Sequence, residues 1–137
     1  MILVINTADS ENVFIGLAKG NESIVKKQFK AKYQQSEKIL PEIEKMFRAV
    51  GHGPRDLKGI IAVLGPGPFT ALRVGIVTAN ALSYALRIPA VGLKLTEFKN
   101  SEELVQKGLA KLKGQRGVRI LTPFYGQLPN ITKKNKP

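Results

Sequence analysis

The run Gly65-Pro66-Gly67-Pro68-Phe69-Thr70-Ala71-Leu72-Arg73-Val74-Gly75 leads from an apolar stretch through a glycine-rich turn into a helix start. Backbone N–H groups at such a turn, with the positive end of the helix dipole, suit an anion, and Gly65, Gly67 and Thr70 are the candidate residues. The Lys-Ser/Thr pair of a phosphate loop is missing, and two prolines remove N–H donors. A rigid reversal that holds the helix against a sheet is the competing reading. Asn6-Thr7 closes the first apolar run. Asp there would suit a magnesium–nucleotide complex, whereas Asn is neutral and a poor magnesium ligand. Asp9 and Glu11 read as ordinary turn acids. There is no cysteine, and His52 is the one histidine, between two glycines. No Ser-His-Asp, paired-carboxylate or Cys-His set can be assembled, so neither a catalytic residue nor a metal ligand is assigned.

The helix after the turn is apolar nearly all round. Ala71, Gly75, Thr78, Ala79 and Leu82 form a small-residue stripe, with Leu72 and Ile76 beside it. Only Arg73, Asn80 and Ser83 are clearly polar before Arg87. Such a helix needs cover on two sides, and a sheet covers one. A partner subunit is the expected second cover, with packing on the C-terminal helix of the same chain as the alternative. The expected partner interface is therefore Ala71, Leu72, Gly75, Ile76, Ala79 and Leu82, with Ile39 and Ile43 from the preceding helix.

Charge is the compositional outlier among 137 residues: 22 Lys plus Arg against 10 Asp plus Glu, a net of +12. No acidic residue follows Glu103. Such a field attracts polyanions, and Lys113, Arg116 and Arg119 are the candidate RNA contacts. A solvated, solubilising tail is the bland alternative. The longest purely aliphatic runs, 1–5 and 60–64, fall short of the about 20 residues that span a bilayer. No secretory leader is legible, so a cytoplasmic location without membrane contact is expected.

These residues sit on a readable order of elements. Apolar strands at 2–5, 13–18 and 23–29, the last lysine-rich like an edge, open the chain as an antiparallel meander. A helix capped by Ser36 runs to 50, with Ile39, Ile43, Met46 and Phe47 on one face. A strand to Leu64, a helix capped by Thr70 and a strand at 90–93 make a βαβ unit. A helix at 101–113 capped by Ser101, a last strand at 118–125 and a disordered basic tail follow. The fold class is α/β, a single actin-like/Hsp70-like (ASKHA, ribonuclease H-like) lobe with a mixed sheet. The expected division is 1–98 for the lobe, 99–126 for a residual helix and strand, and 127–137 for the tail.

Three blocks carry a family resemblance. Ile2-Leu3-Val4-Ile5-Asn6-Thr7-Ala8 resembles the opening I-L-x-I-D-T-S of the TsaB (YeaZ) family of Gcp-like proteins. Gln35-Ser36-Glu37-Lys38-Ile39-Leu40-Pro41 resembles its H-S-E-x-L-L-P, and 65–75 resembles its G-P-G-S-F-T-G-L-R-x-G. Asn6, Gln35, Pro68 and Ala71 depart from the pattern. The second lobe usual in the family is expected to be reduced here to one helix and a connector, since Pro123-Phe124-Tyr125 and Pro129-Asn130-Ile131-Thr132 resemble the family's final tail. The resemblance implies a non-catalytic scaffold subunit in threonylcarbamoyladenosine modification of tRNA at adenosine 37. It implies docking through the helices on a TsaD-type transferase, with a TsaE-type ATPase and tRNA in the same assembly. ATP and metal would sit on those partners and no cofactor on this chain; the free chain could pair with itself. A drifted basic tRNA-binding or assembly module is the alternative function, and an active actin-like phosphotransferase a weaker third.

Overall fold

A computed structural model describes residues 1–126. Its sheet follows from which strands are apolar on both faces. β1 (Ile2–Asn6) and β4 (Gly59–Gly65) are, and they lie at the centre. β2 (Asn12–Lys19) pairs antiparallel with β1, and β3 (Glu22–Lys30) antiparallel with β2. β5 (Ala90–Lys94) pairs parallel with β4, which pairs parallel with β1, so the order is β3-β2-β1-β4-β5. Lysines 26, 27 and 30 line the β3 edge, which discourages pairing with another chain.

Successive residues of the central strands point to opposite faces. Leu3, Ile5, Ile60 and Ala62 join the core under α1 (Gln35–Ala49) and α2 (Phe69–Leu86). Val4, Ile61 and Val63 join the core under α3 (Ser101–Gly114), with Leu104 and Val105. Each fully buried Leu or Ile contributes about 1.5–3 kcal/mol, so both layers are held firmly. The ASKHA-type lobe with its mixed sheet and βαβ unit is the architecture observed.

The helix starts differ from those expected. α1 begins at Gln35, not after Ser36, because Gln35 is buried and its Nε2 donates to the Ser10 carbonyl at 3.1 Å. A tertiary contact, and no side-chain cap, sets that end. α2 begins at Phe69 with Pro68 at its N-cap, which leaves Thr70 inside the first turn. α3 is capped by Asn100, whose Oδ1 accepts from the Glu103 N–H at 2.9 Å, so Ser101 is already helical.

The expected strand at 118–125 is an extended segment outside the sheet. A side chain does the work of a ladder there. Asn80 Nδ2 donates to the Leu121 carbonyl at 3.0 Å and its Oδ1 accepts from the Leu121 N–H at 2.9 Å. The Phe124 N–H then donates to the Leu64 carbonyl at 2.8 Å. The expected disordered tail at 127–137, with Pro129 to Thr132, lies outside the described residues.

α3 covers the opposite face of the sheet from α2, so it is not the second cover of α2. α2, at 18 residues, is long and apolar enough to cross a membrane by length and composition, contrary to the reading from run lengths. Its inner side is built into the core.

Candidate docking face and Gly-Pro turn

Gly75 shows what the small-residue stripe is for. A Cβ on it would come within 2.3 Å of Thr7 Oγ1, so α2 and the residue just after β1 touch there with no room for a side chain. Ala71, Leu72, Ile76 and Ala79 are buried in the same interface, as are Ile39 and Ile43 on α1, while Leu82 is half-buried. Seven of the eight residues expected to meet a partner are thus buried inside the chain's own core, and their placement on a partner surface is corrected. Periodicity identified a buried side of α2 but not what buries it.

The outward face of these helices carries different residues. Leu40 is 54% exposed, Phe69 57%, Val77 60% and Tyr84 78%. On α2 they fall with Arg73 at spacings of four, four and seven, one stripe along the helix. A groove of about 340 Å³ runs between the helices, lined by Ile39, Leu40, Phe69, Val74, Val77 and Thr78. A second hollow of about 540 Å³ continues past Pro41, Phe47 and His52 to Leu57 and Leu82. Sequence reasoning missed Leu40, Val77 and Tyr84. The usable signal was the apolar remainder of α2 once its small residues are assigned to the sheet.

The Gly-Pro turn is clamped from both sides. Gly65 has φ +120°, a conformation that favours glycine, and a Cβ there would meet the Phe124 carbonyl oxygen at 2.2 Å. A Cβ on Gly67 would meet the Ala8 backbone at 2.8 Å. The Gly65–Pro66 peptide is cis. Thr70 is exposed in the first turn of α2. The polar groups around the turn have local partners. Asn6 Oδ1 accepts from the Ala8 N–H at 2.9 Å. Asp9 Oδ1 accepts from the N–H groups of Glu11 and Asn12, which hold its carboxyl below the usual carboxylate range. His52 Nδ1 lies 3.1 Å from Asp56, whose carboxyl is likewise lowered, first by the Gly53 N–H and then by His52. Among the described residues, no three His, Cys, Asp or Glu side chains are placed to share a metal ion.

Two of the candidate RNA contacts line different clefts. Lys113, Arg116 and Arg119 are all exposed. Lys113 lines a cleft with Lys58 and Asn21 at one end of the sheet, whereas Arg119 lines another with Lys111 and Gln115.

Residues 25–112 match the family model described as TsaD: tRNA N6-adenosine threonylcarbamoyltransferase. The chain belongs to this family, on its TsaB (YeaZ) side. It is 28% identical over 89 residues to the tRNA threonylcarbamoyladenosine biosynthesis protein TsaB of Bacillus subtilis (strain 168), covering 64% of this chain and 39% of that one. It is 43% identical over 61 residues to a tRNA N6-adenosine threonylcarbamoyltransferase of Geotalea uraniireducens (strain Rf4), 44% of this chain and 18% of that one. The solved structure of YeaZ from Pseudomonas aeruginosa shares the fold, with a TM-score of 0.63 at 20% identity over 68% of this chain and 43% of that one. The chain therefore spans less than half the length of the TsaB relative it matches.

Proposed function

We propose that this chain is a non-catalytic docking subunit of the tRNA N6-threonylcarbamoyladenosine modification machinery. It binds a TsaD-type transferase through the outward faces of α1 and α2. The observation that carries the reading is the bare apolar groove between those helices on a chain of this family. Exposed Leu, Phe, Val and Tyr side chains aligned on one side of a helix pair lower their free energy by packing on another helical surface. The same face serves self-association of the free chain when the partner is absent. Its non-catalytic character is supported by Asn6 and Asp9, whose side-chain oxygens are taken up by neighbouring backbone N–H groups. ATP, metal and the transfer chemistry then belong to the partner, with a TsaE-type ATPase and tRNA joining the assembly.

The test is capture of the transferase from the native extract, or of the purified subunit, by this chain and by Leu40→Glu and Val77→Glu variants. Capture by the parent chain and its loss in both folded variants is the expected result. Capture unchanged by either charge, or no capture at all, overturns the reading.

A further inference from the structure

Beside the Gly-Pro turn, the start of α2, the end of β5 and residues 124–125 bring aromatic rings and cations together. The rings of Phe69 and Tyr125 stack with centroids 4.9 Å apart and planes 18° from parallel. The Arg73 guanidinium lies 5.1 Å from the Phe69 centroid, and the Lys94 ammonium 4.2 Å from the Phe124 centroid. Neither cation forms an ion pair among the described residues. Rings that served only as packing would be covered, yet Phe69 is 57% and Tyr125 38% exposed. The Phe124 N–H bond to Leu64 fixes the segment that carries Tyr125.

We propose that this aromatic–cation cluster is a stacking site for unpaired bases of RNA. Base faces stack on exposed aromatic rings without regard to sequence, and flanking cations neutralise the adjoining phosphates. Paired bases hide those faces in a duplex. The choice of RNA as the polyanion rests on the tRNA-modification reading above; the stacking geometry does not.

The experiment uses the full chain and a labelled, unstructured oligoribonucleotide of about eight nucleotides, a length that one such site accommodates. An abasic ribose-phosphate oligomer and an RNA duplex of equal charge are the comparisons. The chain has no Trp and three Tyr, so in a Tyr33→Phe/Tyr84→Phe background its intrinsic emission reports Tyr125 alone. The expected result is quenching of Tyr125 by the base-bearing oligomer, and roughly tenfold tighter binding of it than of the abasic one. Tyr125→Leu should lose about fivefold or more in affinity, and Tyr125→Phe should lose nothing. Equal affinity for abasic and base-bearing oligomers, an unquenched Tyr125, or no binding overturns the inference, whatever the folding of the Leu variant. Phe69 and Arg73 belong to both the α1–α2 groove and this cluster, so the two readings are separated by Val77, which lines only the groove, and Tyr125, which does not line it: Val77→Glu reports on partner capture and Tyr125→Leu on base stacking.

Discussion

Both helical layers on this sheet carry surface ion pairs, and they differ in the apolar side chains their helices expose. α3 itself exposes no large apolar side chain, although Ile120 in the cleft beside it is 80% exposed. Lys26 and Glu102 pair at 3.2 Å, Lys111 and Glu97 at 3.1 Å, and Lys107 lies 4.0 Å from Glu103. Lys111 also donates to the Gly92 carbonyl on the β5 edge at 3.0 Å. Exposed pairs of this kind stabilise by only about 0–1 kcal/mol each, so their effect is to keep that face solvated. The α1–α2 side buries its inner stripe equally well but leaves Leu40, Phe69, Val77 and Tyr84 open between charged flanks. Burial toward the sheet is a folding requirement common to both layers. The outer surface is free to differ, and the exposed apolar row on α1 and α2 is the difference on which the docking proposal rests.

The sharpest break in the comparison comes from confusing the two sides of α2. Gly75→Leu should unfold the lobe, costing about 3 kcal/mol or more, because the side chain must displace Thr7, the residue just after β1. Loss of the cooperative transition in thermal circular dichroism checks this. A stable, well-folded Gly75→Leu protein would mean that the stripe faces outward after all.

Val77→Glu, on the opposite side of the same helix, should leave stability within about 0.5 kcal/mol. It should weaken transferase binding by tenfold or more, as truncation of a buried interface anchor does. Gln106→Glu on the solvated face of α3 is the matched control and should change neither quantity. Equal effects of the two charges on binding would erase the distinction between the layers.

Asn80→Ala tests the hinge of the outer layer, where α2 holds the 118–125 segment. It leaves the Leu121 N–H and carbonyl without their partner and should cost about 1–2 kcal/mol. Amide hydrogen exchange at Leu121 should accelerate selectively. Unchanged protection there would show that the segment is held by its apolar contacts alone.

The smallest effect is electrostatic. The Lys27 ammonium, with Lys45 as a lesser neighbour, holds the Glu42 carboxyl below the usual carboxylate range and ties α1 to β3. A carboxyl lowered in the folded state adds stability that is complete above its unfolded value and is lost as pH falls through its folded value. Glu42→Gln should therefore cost about 1 kcal/mol or less near neutral pH. The parent and variant should converge as acid protonates Glu42, which urea unfolding at a series of pH values would show. A constant difference across that range would assign the effect to packing.

Much of this molecule was legible in the residue string. Continuous apolar runs in β1 and β4 read as strands buried on both faces, and the lysine content of β3 marks it as an edge. The spacing of Ile39, Ile43, Met46 and Phe47 specifies one buried face of α1 wherever that helix docks. The 65–75 block carries its family signature in local geometry, since glycines and prolines dictate a turn without long-range help. What such patterns lack is a direction. Periodicity says which residues are buried, not by what, and a stripe of Ala and Gly fits a sheet as closely as a helix. The structure placed Thr7 under Gly75 and so turned the stripe inward. Likewise Gln35 moved a helix start by reaching Ser10, and Asn80 held as an extended segment what local propensity reads as a strand. Lys113 and Arg119, close in sequence, went to different clefts, while Phe69 and Tyr125, far apart in sequence, came into contact. The chain sets local propensity and burial through short-range sterics and hydrophobicity. Which surfaces remain open depends on contacts between residues distant in sequence, and only the assembled tertiary structure brings those together.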